Sequence, residues 1–249
     1  MSPQEELNNI FLECYELDKS IDSNNCPICN YNIIDIKKYF IYSDSMWGTN
    51  KIIRIKCPNC DTIFGSITVM NMDYEKLSYC YSLVYSFFVE GDTANAQLNL
   101  FYKLKPIKNK KYLNYACGDW KGIEQIISAD YDIYGYDPVI SYNNTKILKN
   151  INQIPKQLDG LFSNNYIEHL QNPINQFIEW NNMLKLGSIM IHSGEYDYNT
   201  EKTNFHLLYL SEKGLQILCD KTGFEIINSE NRKTIEFKKI FEIKPLGLG

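Results

Sequence analysis

Two cysteine motifs constrain this chain more than any other feature: Cys26-Pro-Ile-Cys29 and Cys57-Pro-Asn-Cys60. A C-x-x-C knuckle turns the backbone so that its two sulfurs face one point, and two knuckles in one region suit tetrahedral thiolate coordination of Zn²⁺. The 27 residues between Cys29 and Cys57 exceed the common ribbon spacing. The β-rich stretch Lys51 to Lys56 can nevertheless form a ribbon hairpin. A pair of redox dithiols is the alternative, but redox motifs usually open a helix after a strand and rarely come doubled with proline at the same place. Cys26, Cys29, Cys57 and Cys60 are therefore expected to hold one structural zinc. Four thiolates saturate the ion and leave no position for water, so no Lewis-acid chemistry is expected there. Residues 25–70 carry too little apolar sequence to fold alone, and metal binding would supply the missing stability.

Ahead of the knuckles, residues 1–24 read as an amphipathic helix. Ser2 and Glu5 have capping-box spacing, Pro3 takes the first helical position, and Leu7, Ile10, Phe11, Cys14 and Leu17 are assigned to one face. No basic n-region or apolar h-region is present, so this is not read as a signal peptide. No apolar run, Tyr81 to Val89 included, reaches bilayer length. The cytoplasm is the expected compartment, and no membrane partner is expected. Hydrophobic residues make up 44% and charged residues 22% of the 249, which excludes disordered, collagenous and coiled-coil classes. Net charge is −5, and Arg54 and Arg232 are the only arginines. Both facts disfavour a phosphate-tracking surface.

Residues 71–108 form an aromatic helical connection, with Tyr74, Tyr79, Tyr81, Tyr85, Phe87, Phe88, Phe101 and Tyr102. It is either core or a lid over a ligand. The stretch from Pro106 to Lys111 reads as a solvated linker rather than a phosphate site, although Lys105 to Lys111 could form a local basic patch.

From residue 109 to 249 strands and helices alternate. Strands are expected at Tyr112 to Ala116, Asp132 to Asp137, Leu158 to Ser163, Ser188 to His192, Phe224 to Asn228 and Thr234 to Ile243. Helices are expected up to Ser128, from Pro173 to a stop at Gly187, and from a Ser211 cap to Gly223. The last two strands lie close enough in sequence to pair antiparallel. This alternation predicts an α/β, mostly parallel, doubly wound sheet that binds its ligand at the carboxyl ends of the strands. Tyr115-Ala116-Cys117-Gly118 after the first strand lets backbone approach a ligand. Asp137 ends the second strand and can accept from both ribose hydroxyls. Taken alone, these residues leave NAD and S-adenosylmethionine both open.

Several runs together resemble the class I S-adenosylmethionine-dependent methyltransferases. They are Leu113 to Asp119, Tyr134 to Pro138, Asp159 to Leu170, Met183 to Gly187, and His206 with Gly223-Phe224. The resemblance covers roughly residues 111–244 and rests on the ordered set of motifs. It implies a Rossmann-like seven-stranded methyltransferase core, with the last strand inserted antiparallel, behind a small zinc-ribbon-like module and a helical connection. By this resemblance Tyr115, Ala116 and Gly118 line the methionine part of S-adenosylmethionine, and Asp137 with Pro138 lies at the ribose. Asn152 flanks the adenine, and Asn164 lies beside the cofactor after the fourth strand. The chain departs from the family at Asn114, where an acid is usual, at Ala116, where glycine is usual, and at Trp120. The methyl of Ala116 is tolerable if its φ is negative.

A zinc module before such a core is similar to the sugar C-methyltransferases and to one branch of ribosomal RNA guanine methyltransferases. Acidic charge and scarce arginine disfavour RNA. The preferred acceptor is a small polar molecule, an activated sugar or surface-polysaccharide (capsule) precursor, with a capsular phosphoramidate O-methyltransferase fitting the size. An RNA methyltransferase that grips RNA through the zinc module, and a non-catalytic binding protein of this fold, are the alternatives. Because the sulfonium already activates the methyl group, the protein mainly aligns the reactants, and a base is needed only for a hydroxyl or carbon acid. The candidates are the three histidines: His206 on the loop after the fifth strand, His192 at that strand's end, and His169 beside Glu168. Glu195 and Tyr196 are secondary candidates.

Overall fold

The computed structural model describes residues 1–88, 91, 93–118, 123–139, 145–194, 196–198, 202–230 and 232–243. In chain order its elements begin with α1 (Pro3–Lys19), β1 (Ser23–Asn25), β2 (Asn32–Ile34), β3 (Phe40–Asp44), β4 (Lys51–Lys56), β5 (Ile63–Phe64), α2 (Ile67–Met70), α3 (Tyr74–Tyr85) and α4 (Ala94–Lys103). The alternating part follows with β6 (Lys111–Tyr115), α5 (Ile123–Ser128), β7 (Asp132–Tyr136), β8 (Ile147–Leu148), β9 (Leu158–Asn164), α6 (Pro173–Met183) and β10 (Leu184–Ser193). It ends with β11 (Leu208–Tyr209), α7 (Glu212–Thr222), β12 (Phe224–Glu230) and β13 (Thr234–Lys239). Among the described residues no helix is long and apolar enough to cross a membrane.

Two compact units result. The first gathers Met1–Gly91, Ile167–Pro173 and Glu195–Ile217; the second holds Asp92–Tyr166, Ile174–Gly194 and Leu218–Gly249.

In the first unit α1 opens on a reciprocal cap. The Glu5 N–H donates to Ser2 Oγ (3.2 Å) and the Ser2 N–H to the Glu5 carboxylate (2.7 Å), which satisfies two donors the helix start would otherwise leave open. Its buried stripe is Leu7, Phe11, Cys14 and Asp18. Leu17, expected on that face, is 56% exposed, because it lies one residue, about 100° of helix, away from the stripe. The stripe packs with Cys80, Leu83 and Val84 of α3 and with Phe205 and Leu207, so α3 is part of this core. Strands β3 and β4 form the expected hairpin, and the sheet order is β11-β5-β4-β3. A loop from late in the chain thus supplies an edge strand to the sheet beside the cysteine knuckles.

The second unit is a seven-stranded sheet ordered β12-β13-β10-β9-β6-β7-β8. β8, β7, β6, β9 and β10 pair in parallel, while β13 runs antiparallel between β10 and β12. This is the Rossmann-like methyltransferase sheet that the sequence predicts, with its last strand inserted antiparallel. One face packs Leu100 and Phe101 of α4 and Ile126 of α5 on Tyr112, Ile133, Phe162 and Ile191. Elsewhere Phe177 of α6 meets Phe224 and Phe237 edge-on, with ring centroids 5.9 and 5.5 Å apart, a favoured geometry for aromatic pairs. Buried Lys239 donates to the carbonyls of Asn181 and Leu184, both at 2.7 Å, so a cation closes the C-terminal end of α6.

Some boundaries differ from expectation, and β13 stops at Lys239 rather than Ile243. Gly187 does not close α6; the helix ends at Met183, Leu184 already pairs with Leu158, and the ladder resumes at Ile189. Gly187, at φ +81°, lies in this irregularity, where left-handed backbone favours glycine.

Candidate functional site

The four-cysteine cluster is built by two matching turns. The Asn30 N–H donates to the Cys26 carbonyl (3.0 Å) and the Asp61 N–H to the Cys57 carbonyl (2.9 Å). The Cys26 N–H donates to the Tyr31 carbonyl (3.0 Å) and the Cys57 N–H to the Thr62 carbonyl (2.9 Å). Asn30 and Asp61, each directly after a second cysteine, have φ near +60° (61° and 60°), a conformation those two residue types tolerate best after glycine. The turns bring Cys26 Sγ to 3.6 Å from Cys60 Sγ, and Cys29 Sγ to 3.6 Å from Cys57 Sγ. All four sulfurs lie within 4.8 Å of one another. A tetrahedron with Zn–S arms of about 2.3 Å has edges of about 3.8 Å, so the donor set fits zinc. The hydrogen bond between Cys26 and Cys60 lowers the pKa of Cys60 and raises that of Cys26, so the pair shares a proton in the absence of an ion. The second knuckle also anchors α7: Ser211 Oγ donates to the Cys60 carbonyl and Lys213 to the Asn59 carbonyl. Ser211 accepts from the Gly214 N–H (2.8 Å), as expected of an N-cap.

In the second unit the carboxyl ends of β6, β7 and β9 meet where the strand order reverses, the usual ligand position of such sheets. Ala116 has φ +55° and Gly118 φ +59°, so the chain leaves β6 through two left-handed residues. The condition set for Ala116, a negative φ, is not met. Asp137 secures this turn: the Gly118 N–H donates to its Oδ2 (3.0 Å), and the Val139 N–H donates to its Oδ1 (2.9 Å). The carboxylate is half-buried and Pro138 beside it is exposed. Each carboxylate oxygen offers two acceptor positions, and each takes one of these two backbone N–H groups. Asn164 ends β9 two positions past Phe162, which pairs with Asn114 of β6.

The Tyr115 side chain is buried against α6. Its hydroxyl donates to Glu179 (3.2 Å) and accepts from Gln176 (3.1 Å), and burial raises its pKa. Asn152 is exposed on the short turn Ile151–Gln153 and lines a groove of about 580 Å³ with Ile154, Asn175, Ile178, Glu179 and Met183. Asn114 is fully buried and donates to Gln97 of α4 (2.5 Å). Asp119, Trp120 and Gly122 lie outside the described residues.

The histidines separate into two kinds. His192 is fully buried in β10, with Nδ1 2.7 Å from Ser163 Oγ. His169 and His206 belong to the first unit, where their rings meet edge-on at 4.7 Å. Tyr81 of α3 holds His169 Nδ1 at 3.1 Å, and Glu168 lies beside them, 1% exposed. Tyr196 is buried; Glu195 lies outside the described residues. Arg54, used in the sequence only as evidence against phosphate binding, is fully buried in β4. It donates to Ser43 Oγ (2.8 Å) and to the carbonyls of Thr203 (2.7 Å) and His206 (3.3 Å), and it lies over the rings of Tyr198 and Tyr209. The apolar run around Arg54 was the one sign that its strand is buried. Nothing in the sequence joins His206 to Tyr81 and His169, because that contact depends on β11 entering the sheet of β3 to β5.

The sequence matches no family model and no curated protein. Solved structures do resemble it. A Burkholderia thailandensis 1,6-didemethyltoxoflavin-N1-methyltransferase, with bound 1,6-didemethyltoxoflavin and S-adenosylhomocysteine, covers 81% of this chain and 99% of its own at 12% identity, TM-score 0.51. A SAM-dependent methyltransferase from Aquifex aeolicus covers 64% of this chain and 98% of its own at 11% identity, TM-score 0.48. Identities this low speak to fold alone. The chain has the fold of the class I S-adenosylmethionine-dependent methyltransferases.

Proposed function

We propose that this protein is an S-adenosylmethionine-dependent methyltransferase for a small polar acceptor, a hydroxyl-bearing sugar or surface-polysaccharide precursor. The observation that carries the reading is the left-handed turn from Ala116 to Gly118, fastened by Asp137 across the ends of β6 and β7. A bound S-adenosylmethionine supplies a methyl group already activated for transfer. Asp137 would accept its ribose hydroxyls, the turn would lie against its methionine part, and Asn152 and Asn164 would flank it. A small acceptor is favoured by the net charge of −5 and by the burial of Arg54, which removes one of two arginines from any phosphate-binding surface. The Burkholderia enzyme, whose bound acceptor is a small molecule, fits the same reading.

Cys26, Cys29, Cys57 and Cys60 would hold a structural zinc. His192, locked to Ser163, would serve the sheet. Removal of the acceptor proton would fall to His206 and His169, assigned from their order in the chain. Loss of a general base typically costs about 10²–10⁴-fold, so His206→Ala should cut turnover by that order and leave cofactor binding intact.

The test of the cofactor assignment is a thermal-shift titration with S-adenosylhomocysteine, since a ligand that binds only the native state raises its melting temperature. Wild-type protein should shift. Asp137→Ala should lose about 1.5–3 kcal/mol of binding, the range for hydrogen bonds to a charged group. A shift with NAD and none with S-adenosylhomocysteine would overturn the assignment.

A further inference from the structure

We infer that Glu168, His169 and His206 form a second metal centre, for a divalent first-row transition ion, separate from the four-cysteine cluster. One ligand atom from each residue lies within 4.8 Å of the other two. Two imidazoles and one carboxylate are a common donor set for Zn²⁺ and for non-haem Fe²⁺, and three protein ligands leave coordination positions open. The surroundings fix the set. The Leu207 N–H donates to the Glu168 carbonyl at 2.6 Å, tying together the two segments that carry the ligands, and Arg54 Nη2 donates to the His206 carbonyl. Tyr81, stacked on Phe205 with centroids 4.4 Å apart, meets His169 Nδ1 at 3.1 Å and so fixes the ring. Hydrogen-bond partners of this kind orient metal-binding imidazoles. Glu168, at 1% exposed, is the buried member of the set.

The open positions would take oxygen ligands. A hydroxyl bound there is acidified by the ion, so an ion held by His206 and His169 would ease the loss of the acceptor proton that these histidines are proposed to serve. That role rests on the methyltransferase reading; the metal site does not.

The two are tested separately on the same samples. Full-length protein, dialysed so that the cysteine site keeps its zinc, is titrated with Co²⁺. One equivalent should bind, giving weak d–d absorption without sulfur-to-cobalt charge transfer. His206→Ala and His169→Ala should each bind none. Tyr81→Phe should still bind Co²⁺, about 10–100-fold more weakly, because it loses only the orienting contact. No uptake by the wild type, or equal uptake by both histidine variants, overturns the metal site. S-adenosylhomocysteine binding, measured in parallel, reports on the methyltransferase reading whichever way the metal result falls.

Discussion

Ala116 is the residue whose conformation departs most from its chemistry. A β-carbon at φ +55° costs about 1–2 kcal/mol, and the extra freedom of glycine in the unfolded chain offsets about 0.4–1 kcal/mol of that. Ala116→Gly is therefore expected to stabilise the protein by about 0.5–1 kcal/mol, read as a higher urea midpoint with an unchanged slope. A lower midpoint would mean that the methyl group is packed and needed. Asp18 is a second such position. It is 2% exposed and accepts from the Thr68 N–H (2.8 Å) and hydroxyl (2.6 Å). Burial, the largest influence, still raises its pKa above 3.8 against the opposing hydrogen bonds of Ser66 and Thr68. The native state thus holds a proton that the unfolded state has already released. Stability from this group is complete below 3.8 and falls as pH rises through the raised value. Asp18→Asn keeps an acceptor for Thr68 and removes the titration. The variant should gain on the wild type as pH climbs through the acidic range, and a constant difference in urea midpoint would contradict this.

Among the elements, the second knuckle and the first turn of α7 are fastened together. A β-carbon on Gly214 would lie 2.0 Å from Thr62 Oγ1, and Thr62 is fully buried beside the second knuckle. Gly214→Ala should therefore destabilise by about 1–3 kcal/mol, the usual cost of overpacking, measured by thermal melting. A neutral result would mean that α7 can move away from the knuckle. Zinc removal should act on the same piece: a chelator, or Cys57→Ser, should lower the melting temperature, since metal-binding energy is folding energy in such modules. Elements were legible where a local signal sufficed. The Ser2–Glu5 cap, the Ser211 cap and the spacing of the last two strands each gave the right structure. Gly187 misled because a glycine after a helical pattern reads the same whether it ends a helix or breaks a strand. Leu17 misled because its face was assigned one residue out of phase with Leu7, Phe11 and Cys14.

For the whole molecule, the seven-stranded sheet could be read from the alternation of strands and helices, and the Asp137 turn from residues within one βαβ stretch. The histidine cluster could not. Its members lie on segments separated by α6 and β10 in the chain, and they meet only because residues 167–173 and 195–217 join the N-terminal unit. A linear reading assigns those segments to the sheet that surrounds them in sequence. Binding of S-adenosylmethionine at the carboxyl ends of β6 and β7 through Asp137 can be measured by isothermal titration of S-adenosylhomocysteine into wild-type and Asp137→Ala protein. One site per chain is expected, with a loss of about 10- to 150-fold in affinity in the variant, the equivalent of about 1.5–3 kcal/mol. Equal affinity in the two proteins, or no binding to the folded wild type at millimolar ligand, would contradict it.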